Sequence, residues 1–330
     1  MSDRKKEHIE LAMRSQLAHW SNDKRFYYEP LLGKHPDKQD VNVRFFDKEL
    51  RFPIWVSSMT GGAKGARHIN ENLARACSEF GLGMGLGSCR PLLEDPSKYL
   101  EDFAIRSIIG PKQPLFANLG IAQIEKSVKS GEVSKIEDLV GLLDADGLIV
   151  HVNPLQEWIQ PEGDRLVTPP IQTIQSLLEK TDIQLIVKEV GQGMGPGSLK
   201  ELMQLPVIIE FGAYGGTNFS QLEISRRDGG NESELQELAY LGHTADEMVT
   251  YFNNEKIRLG DIACKGVIVS GGIKNYLDGY YFVKRLSHTA VYGQASAMLH
   301  HARISYESLQ NFIREQIDGY LLASELLTLR

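Results

Sequence analysis

The stretch GVIVSGGIKNYLDGYYFVKRL, Gly266 to Leu286, decides the fold. Its first half is an unbroken apolar run, GVIVSGG, closed by two glycines. Its second half has the spacing of a helix. A continuous apolar run, in place of strict alternation, marks a strand buried on both faces, as in a parallel sheet. The unit recurs on either side. TAVYGQ (Thr289–Gln294) leads into ASAMLHHARI, and VIIE (Val207–Glu210) leads into FGAYGGTNF. Upstream, IQLIVKE (Ile183–Glu189) precedes GQGMGPG and SLKELMQL, and LIVHVN (Leu148–Asn153) precedes PLQEW. LFAN (Leu115–Asn118), GMGLG (Gly83–Gly87) and IWVSS (Ile54–Ser58) complete the set, the last followed by MTGG and INENLARACSEF.

Eight such units predict an α/β chain folded as a closed (β/α)8 TIM barrel. An open doubly wound sheet is the competing architecture, but its early GxGxxG turn is missing. The expected division is an N-terminal arm and lead-in over residues 1–50 and a barrel over 51–330, a single domain overall. The segment Asn231 to Glu255 reads as helical inserts between the sixth and seventh strands.

Bulk properties exclude several classes. The 330 residues carry a formal charge of -7 with no basic block, so nucleic acid is not an expected partner. No apolar run reaches membrane-spanning length, and MSDRKKEHIE has no apolar segment behind its charges, so a cytoplasmic protein is expected. Cys77, Cys89 and Cys264 lie far apart, which suits a reducing compartment and neither a disulfide framework nor a zinc site.

Polar residues gather where the strands end: Ser57, Ser58 and Thr60; Ser88 and Arg90; Asn118; His151 and Asn153; Lys188; Glu210; Ser270; Gln294. In this fold that end is the mouth where active sites are built. The alternative is that these side chains cap the following helices. The loops SGGIKN and GQASAM join small residues to helix starts, a phosphate site of backbone N–H groups and helix dipole. GGTNF is a third glycine-rich approach. A phosphate-bearing cofactor fits a rim polar all round, and Lys188 suits the electron-rich edge of an isoalloxazine ring. Lys188 equally suits a Schiff base or a salt bridge with Glu210.

RKKEH places Arg4, Lys5 and His8 on one helical face, a clamp for a diphosphate. Composition alone favours a solvated arm there. In HVNPLQEW, Glu157 beside a diphosphate would need a bridging metal such as Mg2+, while pairing with an arginine is the alternative. Gln156 could orient a substrate without adding charge. The acids of QPEGD (Gln160–Asp164) read as loop charges on a turn.

RKKEH, SSMTGG, GMGLGS, FANLG, HVNPLQE with QPEGD, VKEVGQGM, GGTNF and SGGIKNYLD, in this order, resemble the type 2, FMN-dependent isopentenyl-diphosphate isomerases. The resemblance runs from Arg4 to about Ser296. It implies interconversion of isopentenyl and dimethylallyl diphosphate, with reduced FMN as acid/base, NADPH as reductant and Mg2+ as metal. It implies a homo-oligomer, tetramer or octamer, acting on a small-molecule diphosphate with no membrane partner. Arg4, Lys5 and His8, assisted by Arg90, would bind the diphosphate. Ser57, Ser58, Met59, Thr60, Ser88 and Asn118 would contact FMN. Lys188 and Thr217 would hold its ring and tail, and Gly272, Ile273, Lys274, Ala295 and Ser296 its phosphate. Gln156 would touch the substrate, Glu157 would carry Mg2+, and His151 and Asn153 would lie near the reacting carbons. Gln156, His151 and Lys188 are the expected catalytic residues.

Two departures stand out. Gly212 occupies a position where similar enzymes commonly have a flavin-contacting serine, and Lys274 replaces a common arginine. A backbone N–H at Gly212 would have to serve for the hydroxyl. The competing activity is an FMN oxidoreductase of the α-hydroxy-acid oxidase type, which needs a histidine base and a carboxylate-binding arginine after a late strand. Neither SGGIKN nor EFGAYGGTN contains a histidine. A non-enzymatic flavin sensor and a Cys89 nucleophile are weaker alternatives.

Overall fold

The computed structural model describes residues 2–37, 40–58, 65–97, 99–227 and 234–330. Three short strands lead in: β1 (Phe26–Tyr28), β2 (Val43–Phe45) and β3 (Lys48–Leu50). Then come β4 (Ile54–Val56), β5 (Gly83–Gly85), β6 (Leu115–Gly120) and β7 (Gly147–Val152). They are followed by β8 (Leu185–Glu189), β9 (Ile208–Glu210), β10 (Gly266–Ser270) and β11 (Ala290–Gln294). A last strand, β12 (Leu327–Leu329), lies at the C-terminal end. Strands β4 to β11 pair in parallel in chain order, and β11 returns to β4 to close the barrel. All eight expected strands form, with ends shifted by one or two residues. GVIVSGG stops at Ser270 because Gly271 and Gly272 turn to positive φ. LFAN instead runs on to Gly120, since Leu119 and Gly120 pair with Val150 and His151.

Side-chain alternation splits the apolar runs between two cores. Trp55, Phe116, Ile149, Ile186, Ile208, Ile268 and Val291 fill the barrel interior. Their neighbours, such as Val56, Leu148, Val187 and Val269, pack outward in the larger core shared with the helices. Glycine in β5 has a packing reason. A Cβ at Gly83 would lie 2.4 Å from the Trp55 ring, so the indole fills the space that a side chain on β5 would take.

The lead-in is more structured than an arm. β2 and β3 form a hairpin whose Phe45 and Leu50 join the interior cluster. Phe45 stacks on Trp55 with ring centroids 5.0 Å apart, and Phe46 stacks on Phe116 at 5.5 Å. The hairpin therefore plugs the end of the barrel opposite the polar rim. β1 pairs antiparallel with β12, Phe26 opposite Leu329, tying the two ends of the chain together. The helix Tyr306–Leu326 packs on the helices Ala66–Phe80 and Tyr276–Arg285. The expected insert holds the helices Gln236–Ala239 and Ala245–Leu259, the second opened by a Thr244–Glu247 capping box; residues 231–233 lie outside the described residues. No described helix is long and apolar enough to cross a membrane.

Candidate active site

A cleft opens at the C-terminal ends of the barrel strands. Its lining brings together eight of the expected cofactor residues: Ser57, Ser58, Lys188, Thr217, Gly272, Ile273, Ala295 and Ser296. They come from β4, β8 and the loops after β9, β10 and β11. Met59 and Thr60 lie outside the described residues.

Buried polar atoms mark what the cleft lacks. Ser58 Oγ, Glu210 Oε2 and Gln294 Oε1 in the cleft lining, and Asn153 Oδ1 just after β7, are buried without a partner among the described residues. Four such atoms at one end of a barrel are costly unless a ligand supplies the missing bonds. The helix Ser296–Ile304 adds to this, for its N-cap is Ala295 and no side chain caps it. Its first N–H groups point out of the fold at the cleft rim, where an anion is favoured. Beside it, Gly271 and Gly272 hold φ of +88° and +72° and press against the backbone of Ala213 and Gly215. The next helix start is less available. Asn275 accepts from the N–H groups of Leu277 and Asp278, and Asp278 Oδ2 accepts from Lys274 N at 2.8 Å. The backbone N–H of Lys274 is thus already engaged.

Two further networks flank the cleft. His151 Nδ1 lies 2.8 Å from Asn118 Oδ1, and Asn118 Nδ2 donates to Leu86 O at 3.0 Å. The amide oxygen can only accept, so His151 is protonated on Nδ1 and keeps its lone pair on Nε2. Burial, with Lys188 adding charge repulsion, drives the imidazole down to about 3, so the ring is neutral near pH 7. Ser88, three residues beyond β5, is half-buried.

From the same strand end, Asn153 Nδ2 donates to Gln156 Oε1 at 3.1 Å and to Glu157 Oε1 at 3.2 Å. Glu157 Oε2 accepts from Asp164 N at 2.7 Å. Arg165 donates to the backbone carbonyls of Glu157 and Trp158, at 2.9 and 3.1 Å, and the Glu157 carboxylate makes no arginine pair among the described residues. Gln156 Nε2 donates to Glu223 Oε1 at 3.1 Å, and Glu223 pairs with Arg226 at 2.5 Å. Glu223 was not singled out in the sequence. A glutamate three residues before an arginine on a helix looks like a surface ion pair, and nothing local reveals that it is buried.

Lys188 is buried at the end of β8, with Nζ donating to Glu189 O at 2.8 Å. It makes no salt bridge with Glu210 among the described residues. Gly212, at φ +53°, gives its N–H to Ser270 Oγ at 3.1 Å, so that N–H is not free to stand in for a serine hydroxyl.

The expected diphosphate clamp is not assembled. Arg4, Lys5 and His8 do lie on a helix, Ser2–Ala12, but its residues from Arg4 to Ala12 are all exposed and none of them lines the cleft. Arg90 is shared between Glu94 and Asp164, both at 3.5 Å. The acids of QPEGD are more than loop charges: Glu162 pairs with Arg226 at 2.6 Å, and Asp164 also takes Lys126 at 3.4 Å. Both acids hold the loop against neighbouring elements, which a turn sequence cannot reveal. No group of three or more His, Cys, Asp or Glu among the described residues is arranged to hold a metal ion.

No protein-family model matches the chain. In structure it is similar to a flavocytochrome b2 variant with sulfite bound, at TM-score 0.62 and 15% identity over 92% of this chain and 72% of that one. A mandelate oxidase variant with a monooxide FMN adduct aligns at TM-score 0.55 and 12% identity, over 93% and 88%. At such identities the likeness concerns the barrel fold. Sequence relatives are nearer. An isopentenyl-diphosphate delta-isomerase of Rickettsia akari is 34% identical over 95% of this chain and 89% of its own. Those of Staphylococcus haemolyticus and Rickettsia prowazekii are 32% and 31% identical, over 83% and 99% of this chain and 74% and 95% of theirs. Identity of this order along nearly the whole length, on a barrel of the expected kind, means that the chain belongs to the isopentenyl-diphosphate delta-isomerase family.

Proposed function

We propose that this chain interconverts isopentenyl and dimethylallyl diphosphate on an FMN held in the barrel mouth. The observation that carries the cofactor is the convergence of buried, unpartnered polar atoms with an uncapped helix start in one cleft. The residues present fit the group. The N–H groups at the start of Ser296–Ile304 and the Gly271–Gly272 turn would take its phosphate. Ser57, Ser58, Thr217 and Gln294 offer hydroxyls and an amide to its polar edges, and Lys188 offers a cation to the ring. Lys274 reaches the phosphate as a point charge only, since its N–H serves Asp278. When bound and reduced, FMN supplies an electron-rich acid/base surface beside the alkene.

The chain's own groups do the rest. His151, neutral and fixed by Asn118, resists protonation near pH 7, so its Nε2 serves as a hydrogen-bond acceptor that orients a donor in the mouth. Gln156, held between Asn153 and Glu223, orients the substrate and is too weak an acid to protonate an alkene. Glu157 is a lone carboxylate whose remaining lone pairs suit one bond to Mg2+. Mg2+ held there would supply positive charge to offset the diphosphate of the substrate. Arg4, Lys5 and His8 then close on the diphosphate from their exposed helix.

The α-hydroxy-acid oxidase alternative is disfavoured because the cleft lining contains neither histidine nor arginine. The deciding experiment is anaerobic incubation with FMN, NADPH, Mg2+ and isopentenyl diphosphate, following deuterium uptake from solvent. Exchange and dimethylallyl product are expected. An FMN-loaded protein, bleached by full reduction, that exchanges nothing ends the proposal.

A further inference from the structure

Glu210 is fully buried at the end of β9, directly opposite Lys188 of β8, and both line the cleft. Register partners in a parallel pair put their side chains on the same face. Glu210 Oε1 accepts from Ser57 Oγ at 2.6 Å, while Oε2 is buried without a hydrogen-bond partner among the described residues. Lys188 spends one contact on the Glu189 carbonyl and none on a carboxylate within ion-pair reach. Two opposite charges thus sit side by side without being locked together.

The groups around them are otherwise neutral or turned away. Ser57 on β4, Ser270 on β10 and Gln294 on β11 carry no charge. His151 on β7 is held in its neutral form. The Glu189 carboxylate folds back onto its own loop, accepting from the N–H groups of Gly191, Gln192 and Gly193 at 2.6, 2.6 and 2.9 Å. Lys188 is the single cation among the described residues lining the cleft, and it can balance one anion.

We propose that Glu210 is the charge-balancing residue of the mouth: it is the counter-ion of Lys188 until the bound cofactor becomes anionic, and it then takes up a proton. The inference rests on the FMN proposal above. Two electrons from an external reductant and one proton turn the neutral ring into an anion. Lys188 would then face two negative groups in a dry site, where their repulsion is strong. A second proton, taken from solvent onto the free lone pair of Glu210 Oε2, restores neutrality. Burial pushes the carboxyl the same way, raising its pKa against the pull of Lys188 and its hydroxyl partners. Glu210 is therefore a positioning residue, acting on the cofactor's charge through Lys188.

The test uses the full FMN-loaded chain, reduced electrochemically in weakly buffered, slightly alkaline solution with a pH indicator. About two protons per two electrons are expected for the parent, and one fewer for Glu210→Gln. Infrared difference spectra of the parent alone, reduced minus oxidised, should gain the carbonyl band of a protonated carboxyl group, which covers the case of a variant that does not fold. Equal proton uptake in parent and variant, or no such band, overturns the inference while leaving FMN binding intact. A parent that binds no FMN overturns both proposals.

Discussion

Replacing Gly212 with serine, the residue more usual in similar enzymes, should harm this chain. Gly212 sits at φ +53°, and a Cβ there would lie 1.9 Å from Glu189 O and 2.4 Å from its carbonyl carbon. Both atoms are backbone, at the end of the strand that carries Lys188. The left-handed conformation costs a non-glycine residue about 1 kcal/mol. Relieving the overlap by moving β8 or β9 adds about 1–3 kcal/mol. The total is about 2–4 kcal/mol, and with an unfolding entropy of about 2.1 cal/mol/K per residue that lowers Tm by about 3–6 °C for a chain of this size. Thermal denaturation of Gly212→Ser and of Gly212→Ala should show similar losses, because the clash belongs to Cβ and not to the hydroxyl. FMN titration should show weaker binding in both, since Lys188 moves with its strand. A serine variant as stable as the parent, or one that binds FMN more tightly, would refute the reasoning. The site would then tolerate the hydroxyl, and Gly212 would be an incidental difference.

Three other outcomes follow from the geometry. His151 refuses a proton that an unfolded imidazole accepts near pH ~6.5. Its contribution to stability is therefore complete above about pH 6.5 and is lost as pH falls toward about 3. Because the ring is only half-buried, screening leaves about 2–3 kcal/mol of this. Urea midpoints of His151→Gln should fall less than the parent's between those limits, and parallel profiles would contradict the assignment. Deleting residues 1–13 should shift Tm by less than about 1 °C while raising KM for the diphosphate about tenfold or more, as expected for lost charge-assisted hydrogen bonds. An unchanged KM would mean that the terminal cations do not touch the substrate. Glu157→Ala should keep its yellow colour but need about tenfold more Mg2+ for half-maximal rate; a variant matching the parent at limiting metal rules out Glu157 as ligand.

The barrel was legible because each strand's apolar run is local and its ends are marked by glycine or polar residues. GVIVSGG and LIVHVN differ in length and loop, yet both carry the same buried-on-both-faces pattern. The plug was not legible. VRFFDKEL has alternation enough for a hairpin, but that it enters the barrel depends on Trp55 and Phe116 offering a surface to Phe45 and Phe46. The β1–β12 ribbon likewise joins segments about 300 residues apart, and no local pattern encodes such a pairing.

For the site, strand-end position assigned Ser57 and Lys188 to the polar rim and the family resemblance added Thr217, Gly272 and Ser296, and all five do line one cleft. A strand end in a closed parallel barrel has one destination, so its address can be read from the pattern. Partnership cannot. That Gln156 answers to Glu223, that Ser57 leans on Glu210, and that Gly212 must lack a side chain all depend on distances between separate strands and loops. Those distances are set by how closed strands pack against one another, and packing is a property of the assembled chain, not of any segment of it.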